Sequence, residues 1–170
     1  LSSWVRDGGT LIAVDAGARW AEREILGLKD ETKPEKEKPL SELTWEERRQ
    51  RDIETRVPGP LVRADLDPTH PLARRMGPFV ALLKRSDAAL IAGEDTFVVA
   101  RYPESPRLGG VLHERPRKKI AGKPAVTHTF AGRGSVILFA DDPGIRGFLH
   151  DAMRLVDNAI VFGPSLRGMD

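Results

Sequence analysis

The chain contains no cysteine. Disulfides, thiolate nucleophiles and cysteine-ligated zinc are therefore excluded, while the compartment stays open, since a well-packed secreted domain needs no disulfide. Aromatic residues are scarce, at 6% of 170 positions, and Trp4, Trp20 and Trp45 are too scattered to form a platform for stacked bases. Charge of one sign is also lacking: 27 Lys and Arg face 25 Asp and Glu, a net of +2. A nucleic-acid partner requires a concentrated basic face. The densest basic cluster, Arg115 to Lys119, contains Pro116 and has no aromatic neighbour, so it reads as a solvated loop. No apolar run is long enough to cross a bilayer, and no signal-peptide pattern is visible. Neither nucleic acid nor membrane is expected as a partner.

What is present fits one globular α/β domain spanning 1–170: 40% of residues are hydrophobic and 31% charged. Leu1, Trp4 and Val5 have the spacing of one helix face, and Gly8-Gly9 stops that helix. Thr10 to Val14 is a nearly continuous apolar run, which suits a strand covered on both faces, and Asp15 is placed to cap a helix from Ala16 to about Leu26. Helix, double glycine, buried strand, helix is an α/β rhythm. Lys29 to Arg56 interrupts it with mixed charges and no apolar face. This segment is expected to be a charged surface insertion, with one helical stretch over Ser41 to Arg51 capped by Ser41 or Thr44.

Strands follow over Pro60–Asp65, Val80–Lys84 and Thr96–Tyr102, with a weaker one over Ala88–Ala92. Arg101 to Pro124 reads as loop with a short helix near His113. Ala125–Phe130 and Ser135–Ala140 form an antiparallel hairpin about Gly132-Arg133-Gly134, its second strand central. A last helix, Gly147 to Phe162, presents Leu149, Ala152, Met153, Val156 and Ile160 on one face, widened by Phe148, Leu155 and Phe162, and ends at Gly163-Pro164. Leu138 and Val156 are expected to meet between the sheet and this helix.

Three stretches carry a resemblance: LSSWVRDGGTLIAV, VPGPLVRADLDPTHPLARRM and GRGSVILFADDPGIRGFLHDAMRLVDNAIVFGPS. Their order and wording resemble the carboxy-terminal domain of bacterial carboxypeptidase A-like zinc peptidases, which is similar to a class I glutamine amidotransferase fold. The resemblance implies a three-layer, mostly parallel, flavodoxin-like sheet flanked by helices, with its earliest strands upstream of Leu1. It also implies an upstream peptidase domain as partner, zinc only in that catalytic domain, and a secreted or periplasmic parent. A sheet cut in this way is expected to self-associate through an exposed edge.

The chemistry of both parent families is missing from the residues. Zinc peptidases of this type bind metal through His-x-x-Glu, and the residues three after His70, His113, His128 and His150 are Ala73, Pro116, Ala131 and Met153. A glutamine amidotransferase needs a cysteine nucleophile, and no Gly-x-Ser-x-Gly elbow replaces it; Ser135 begins a strand instead of ending one. Gly132-Arg133-Gly134 leads into a strand, unlike a dinucleotide-binding loop.

The remaining constellation is Asp15, Asp141, Asp142, Arg146 and His150. Asp15 and Asp141 directly follow the two most apolar strands, at the edge where open α/β sheets bind ligands. The plainer reading assigns Asp15 and Asp142 to helix caps and Arg146 to neutralising Asp141 or Asp142. Asp67-Pro68-Thr69-His70 reads as a capped turn whose imidazole bonds back to it, and His128 as a buried or edge histidine. The expectation is a non-catalytic accessory domain. The competing expectation is a small-molecule or sugar-binding module, or a degenerate hydrolase, built on the carboxyl-edge acids.

Overall fold

The structure, a computed structural model, describes residues 1–29 and 38–166. Helix α1 (Ser2–Arg6) leads into strand β1 (Thr10–Val14) and helix α2 (Ala16–Glu24). Helix α3 (Trp45–Thr55) precedes β2 (Leu61–Leu66), β3 (Phe79–Leu83), β4 (Thr96–Arg101) and the short β5 (Arg107–Gly109). Helix α4 (Glu114–Ile120), the hairpin β6 (Pro124–Ala131) and β7 (Gly134–Phe139), and helix α5 (His150–Phe162) complete the chain. The seven strands form one sheet in the order β1-β7-β6-β4-β2-β3, with β5 paired to β2.

Among the described residues only the β1–β7 pair is parallel; the other pairings are antiparallel. The expectation of a mostly parallel sheet is thereby corrected. Continuous apolarity reports that both faces of a strand are covered, and says nothing of the neighbour's direction. Strand β7 illustrates this: it is buried throughout, yet has a parallel neighbour on one side and an antiparallel one on the other. The hairpin β6–β7 is as expected, and its turn glycines have a packing reason. Gly132 has φ 60°, and a Cβ at Gly134 would run into the Val5 carbonyl of α1.

The faces of β7 define two cores. Ile137 and Phe139 join Val62, Leu72, Val126 and the α5 residues Ala152, Leu155 and Ala159. Val136 and Leu138 join Val5 of α1 and Ala18 and Ala21 of α2. Leu138 thus lies under α1 and α2, opposite to the expected face, while Val156 packs on the α5 side. The buried stripe of α5 is also rotated from the expected one: Met153 and Ile160 are exposed.

Three local expectations are revised. Ala88–Ala92 is not a strand; Leu90 is buried there and its N–H reaches the Pro124 carbonyl. Arg115–Lys119 is helical within α4, and Glu114 pairs with Arg117 and Lys118. Of the charged insertion, residues 30–37 lie outside the described residues. Helix α3 buries no residue, and a reciprocal Thr44–Glu47 capping box sets its start.

Candidate functional site

The registers fix strand directions. Strands β1, β3, β4 and β7 run the same way, β2 and β6 the opposite way. Asp15, Lys84 and Tyr102 directly follow β1, β3 and β4, and Asp141 lies two residues beyond β7. Four chemistry-bearing side chains therefore follow the carboxyl ends of four co-directional strands.

Three of them meet in the interior. Lys84 Nζ donates to Asp141 Oδ1 at 3.1 Å and Oδ2 at 3.2 Å, to Tyr102 Oη at 3.1 Å, and to the Ala88 carbonyl. The Tyr102 hydroxyl in turn donates to Asp141 Oδ2. The Lys84 and Asp141 side chains are 0% and 2% exposed. Burial pushes the Lys84 ammonium down, with Asp141 opposing that, and pushes the Asp141 carboxyl and the Tyr102 phenol up. Geometry favours the charged pair, because the carboxylate receives both the ammonium and the phenol, and the ammonium's three protons all find acceptors.

The other expected site residues are spread around this closed cluster. Asp15 pairs with Arg19 at 3.1 Å and makes no side-chain cap to α2. Its backbone holds φ 48° and ψ −119° at the strand-to-helix junction, and its charge adds to the upward push on Asp141. Asp142 accepts the Gly144 N–H at 2.9 Å in a turn, not at the head of α5, whose cap is Leu149. Arg146 is exposed in a 3₁₀ turn with φ 54°, and Asp141 takes Lys84 as its cation instead. His150 opens α5 on the surface. Lys84 and Tyr102 were absent from the sequence expectation. Their signals were modest: a lysine closing the apolar run VALLK, and the chain's single tyrosine.

A second polar cluster joins β6, β7 and the turn after β2. Asp67 caps its turn as expected, accepting the Thr69 N–H at 2.9 Å and hydroxyl at 2.6 Å. The His70 backbone N–H bonds the Asp67 carbonyl at 3.2 Å, but its imidazole does not turn back to Asp67. Its Nδ1 accepts the Leu72 N–H at 3.2 Å, and its Nε2 lies 3.1 Å from His128 Nδ1. His128 Nε2 lies 3.1 Å from Ser135 Oγ, whose hydroxyl donates to the Leu166 carbonyl. Phe97 stacks on His128 and Phe130 meets its ring edge-on.

The fixed donor at Leu72 sets the tautomers along this chain. His70 Nδ1 must be bare, so its proton is on Nε2 and points at His128 Nδ1. His128 then carries its own proton on Nε2 and gives it to Ser135. Burial lowers both histidines, His128 to about 4, so both are neutral near pH 7. A serine nucleophile needs the reverse polarity, with a bare imidazole nitrogen receiving its proton. Ser135, fully buried and donating to Leu166, is a structural link.

Among the described residues no group of three His, Asp or Glu is arranged to hold a metal, and no helix is long and apolar enough to cross a membrane. Compared with known proteins, the chain matches no family model, no curated protein and no solved structure.

Proposed function

We propose that this chain is a non-catalytic accessory and interaction domain, positioned beside a zinc carboxypeptidase-like catalytic domain of the kind its sequence resembles. The observation that carries this reading is the closure of its polar clusters. Lys84, Tyr102 and Asp141 satisfy one another out of reach of solvent, and Ser135 is held by a histidine of the wrong tautomer to activate it. These groups hold strands together, which is a supporting role. Zinc belongs, in this reading, to the catalytic domain alone.

The test is an assay of the purified chain with carboxyl-terminal peptide substrates plus zinc, and with glutamine. No turnover is expected with either. Turnover that disappears in Asp15→Asn, Lys84→Met or Ser135→Ala, in a variant that still folds, would overturn the accessory reading.

A further inference from the structure

Strand β1 ends the sheet with its outer side open among the described residues. The parallel ladder with β7 uses alternate residues: Ser135 donates to the Gly9 carbonyl, and Asp15 donates to the Phe139 carbonyl. Gly9, Leu11, Ala13 and Asp15 therefore face β7, and the N–H and C=O groups of Thr10, Ile12 and Val14 point outward. Natural edges are blunted by charge, proline or bulges. The opposite outer strand is treated so: Pro78 precedes β3, and the Arg63 guanidinium lies 4.7 Å over the Phe79 ring. The run TLIAV of β1 has no charge, no proline and an unbroken register.

The surroundings of this edge are apolar on both faces. Trp4, 52% exposed, lies over Gly9, where a Cβ would meet its ring at 2.6 Å. Trp20 on α2 is also exposed. On the other face, which carries the exposed Val14, the end of α5 reaches β1, where a Cβ on Gly163 would meet Thr10 Cγ2 at 2.9 Å, and Ile160 and Val161 in that last turn are exposed.

We propose that β1 pairs antiparallel with β1 of a second copy of this chain, across a two-fold axis at Ile12, so that two sheets become one. Ile12 opposes its own copy, and Thr10 opposes the copy's Val14. Each outward N–H and C=O then finds a partner, six hydrogen bonds being expected from three such pairs, about two per pair. The axis keeps like faces together and sets the start of one β1 beside the end of the other, so Trp4 lies toward the copy's Trp20 and the last turn of α5 toward the copy's Val14, each contact made twice as an isologous interface requires.

The absence of native cysteine makes a register test simple. Ile12→Cys should cross-link to itself under oxidation, because hydrogen-bonded antiparallel partners have Cα atoms about 5.5 Å apart, inside the range a disulfide spans. Val14→Cys alone should not, since its copy lies four residues along, roughly 13 Å away. A mixture of Thr10→Cys and Val14→Cys chains should form the heterologous cross-link. Light scattering on the unmodified chain should give twice the 18.8 kDa monomer mass. Val14→Pro, which removes an outward N–H, should shift that mass to the monomer while keeping the far-ultraviolet spectrum. A strict monomer at high concentration overturns the proposal. Cross-linking at Val14 but not at Ile12 overturns it equally. Neither outcome touches the accessory reading, which stands or falls on turnover.

Discussion

At the scale of single residues, the most consequential group is Lys84. Among the described residues its ammonium is the one cation bonded to the Asp141 carboxylate. Removing one partner of a buried pair leaves the other charge uncompensated, a larger effect than the pair's own net contribution. Lys84→Ala should lose about 3–5 kcal/mol of stability by urea denaturation. A double replacement, Lys84→Met with Asp141→Leu, should recover much of that loss, because the desolvation cost of both charges disappears together. A double variant no more stable than Lys84→Ala would show that the cluster is not an isolated pair. Asp15 poses a different question, since its left-handed φ of 48° is strained for any residue with a side chain. Asp15→Gly and Asp15→Ala both lose the exposed Arg19 pairing. The glycine variant should nevertheless melt higher, by about 1 kcal/mol of stability. Equal melting temperatures would mean that the junction relaxes.

At the scale of elements, the sequence was readable wherever one local rule acted alone. β1, β4, the hairpin and the helix stop at Gly163-Pro164 all carried their own signals, and so did the Thr44 cap of α3. Thr44→Ala should cost α3 about 1 kcal/mol, visible as lost helical signal, with little change in the cooperative melt, because α3 buries no residue. Where two elements had to agree, local reading was insufficient. The face of α5 shows why. Apolar residues spread over more than half its circumference, and the small Ala152 and Ala159 mark the line of closest approach to the sheet, leaving Met153 and Ile160 outside. β5 has only three residues and exists through its pairing with β2. Lys84 met Asp141 for the same reason: they are 57 residues apart, and only the strand order brings them together. Asp141 itself was a visible candidate from its place after the most apolar strand, but its partners depended on topology.

At the scale of the whole molecule, the His70–His128–Ser135–Leu166 chain ties the turn after β2, the central hairpin and the end of the described chain into one unit. That connection makes stability depend on pH in a defined window. His128 is lowered from 6.5 to about 4, and His70 is lowered as well, burial being the first cause in both. Asp67 is the charged group that opposes the shift of His70, and the two imidazoles disfavour each other's protonation. With folded values below unfolded ones, the unfolded chain binds more protons between about 6.5 and 4, so stability rises with pH there. The contribution is fully present above 6.5 and is lost as pH falls toward about 4, on the order of 3 kcal/mol for His128. Protonation also places two donors face to face between the rings, breaking the chain that ends at Leu166. Glu114, held near 2 by Arg117, titrates below this window. Asp141 works in the opposite direction, because its carboxyl is raised. The decisive quantity is therefore the difference between the unmodified chain and His128→Gln, measured by urea denaturation at pH 7, 5.5 and 4. The variant, without a titrating ring at this position, should be less stable at pH 7 and should show a shallower decline. Parallel pH profiles would mean that His128 titrates alike in the folded and the unfolded chain, as a solvated imidazole does, and that burial does not hold it neutral.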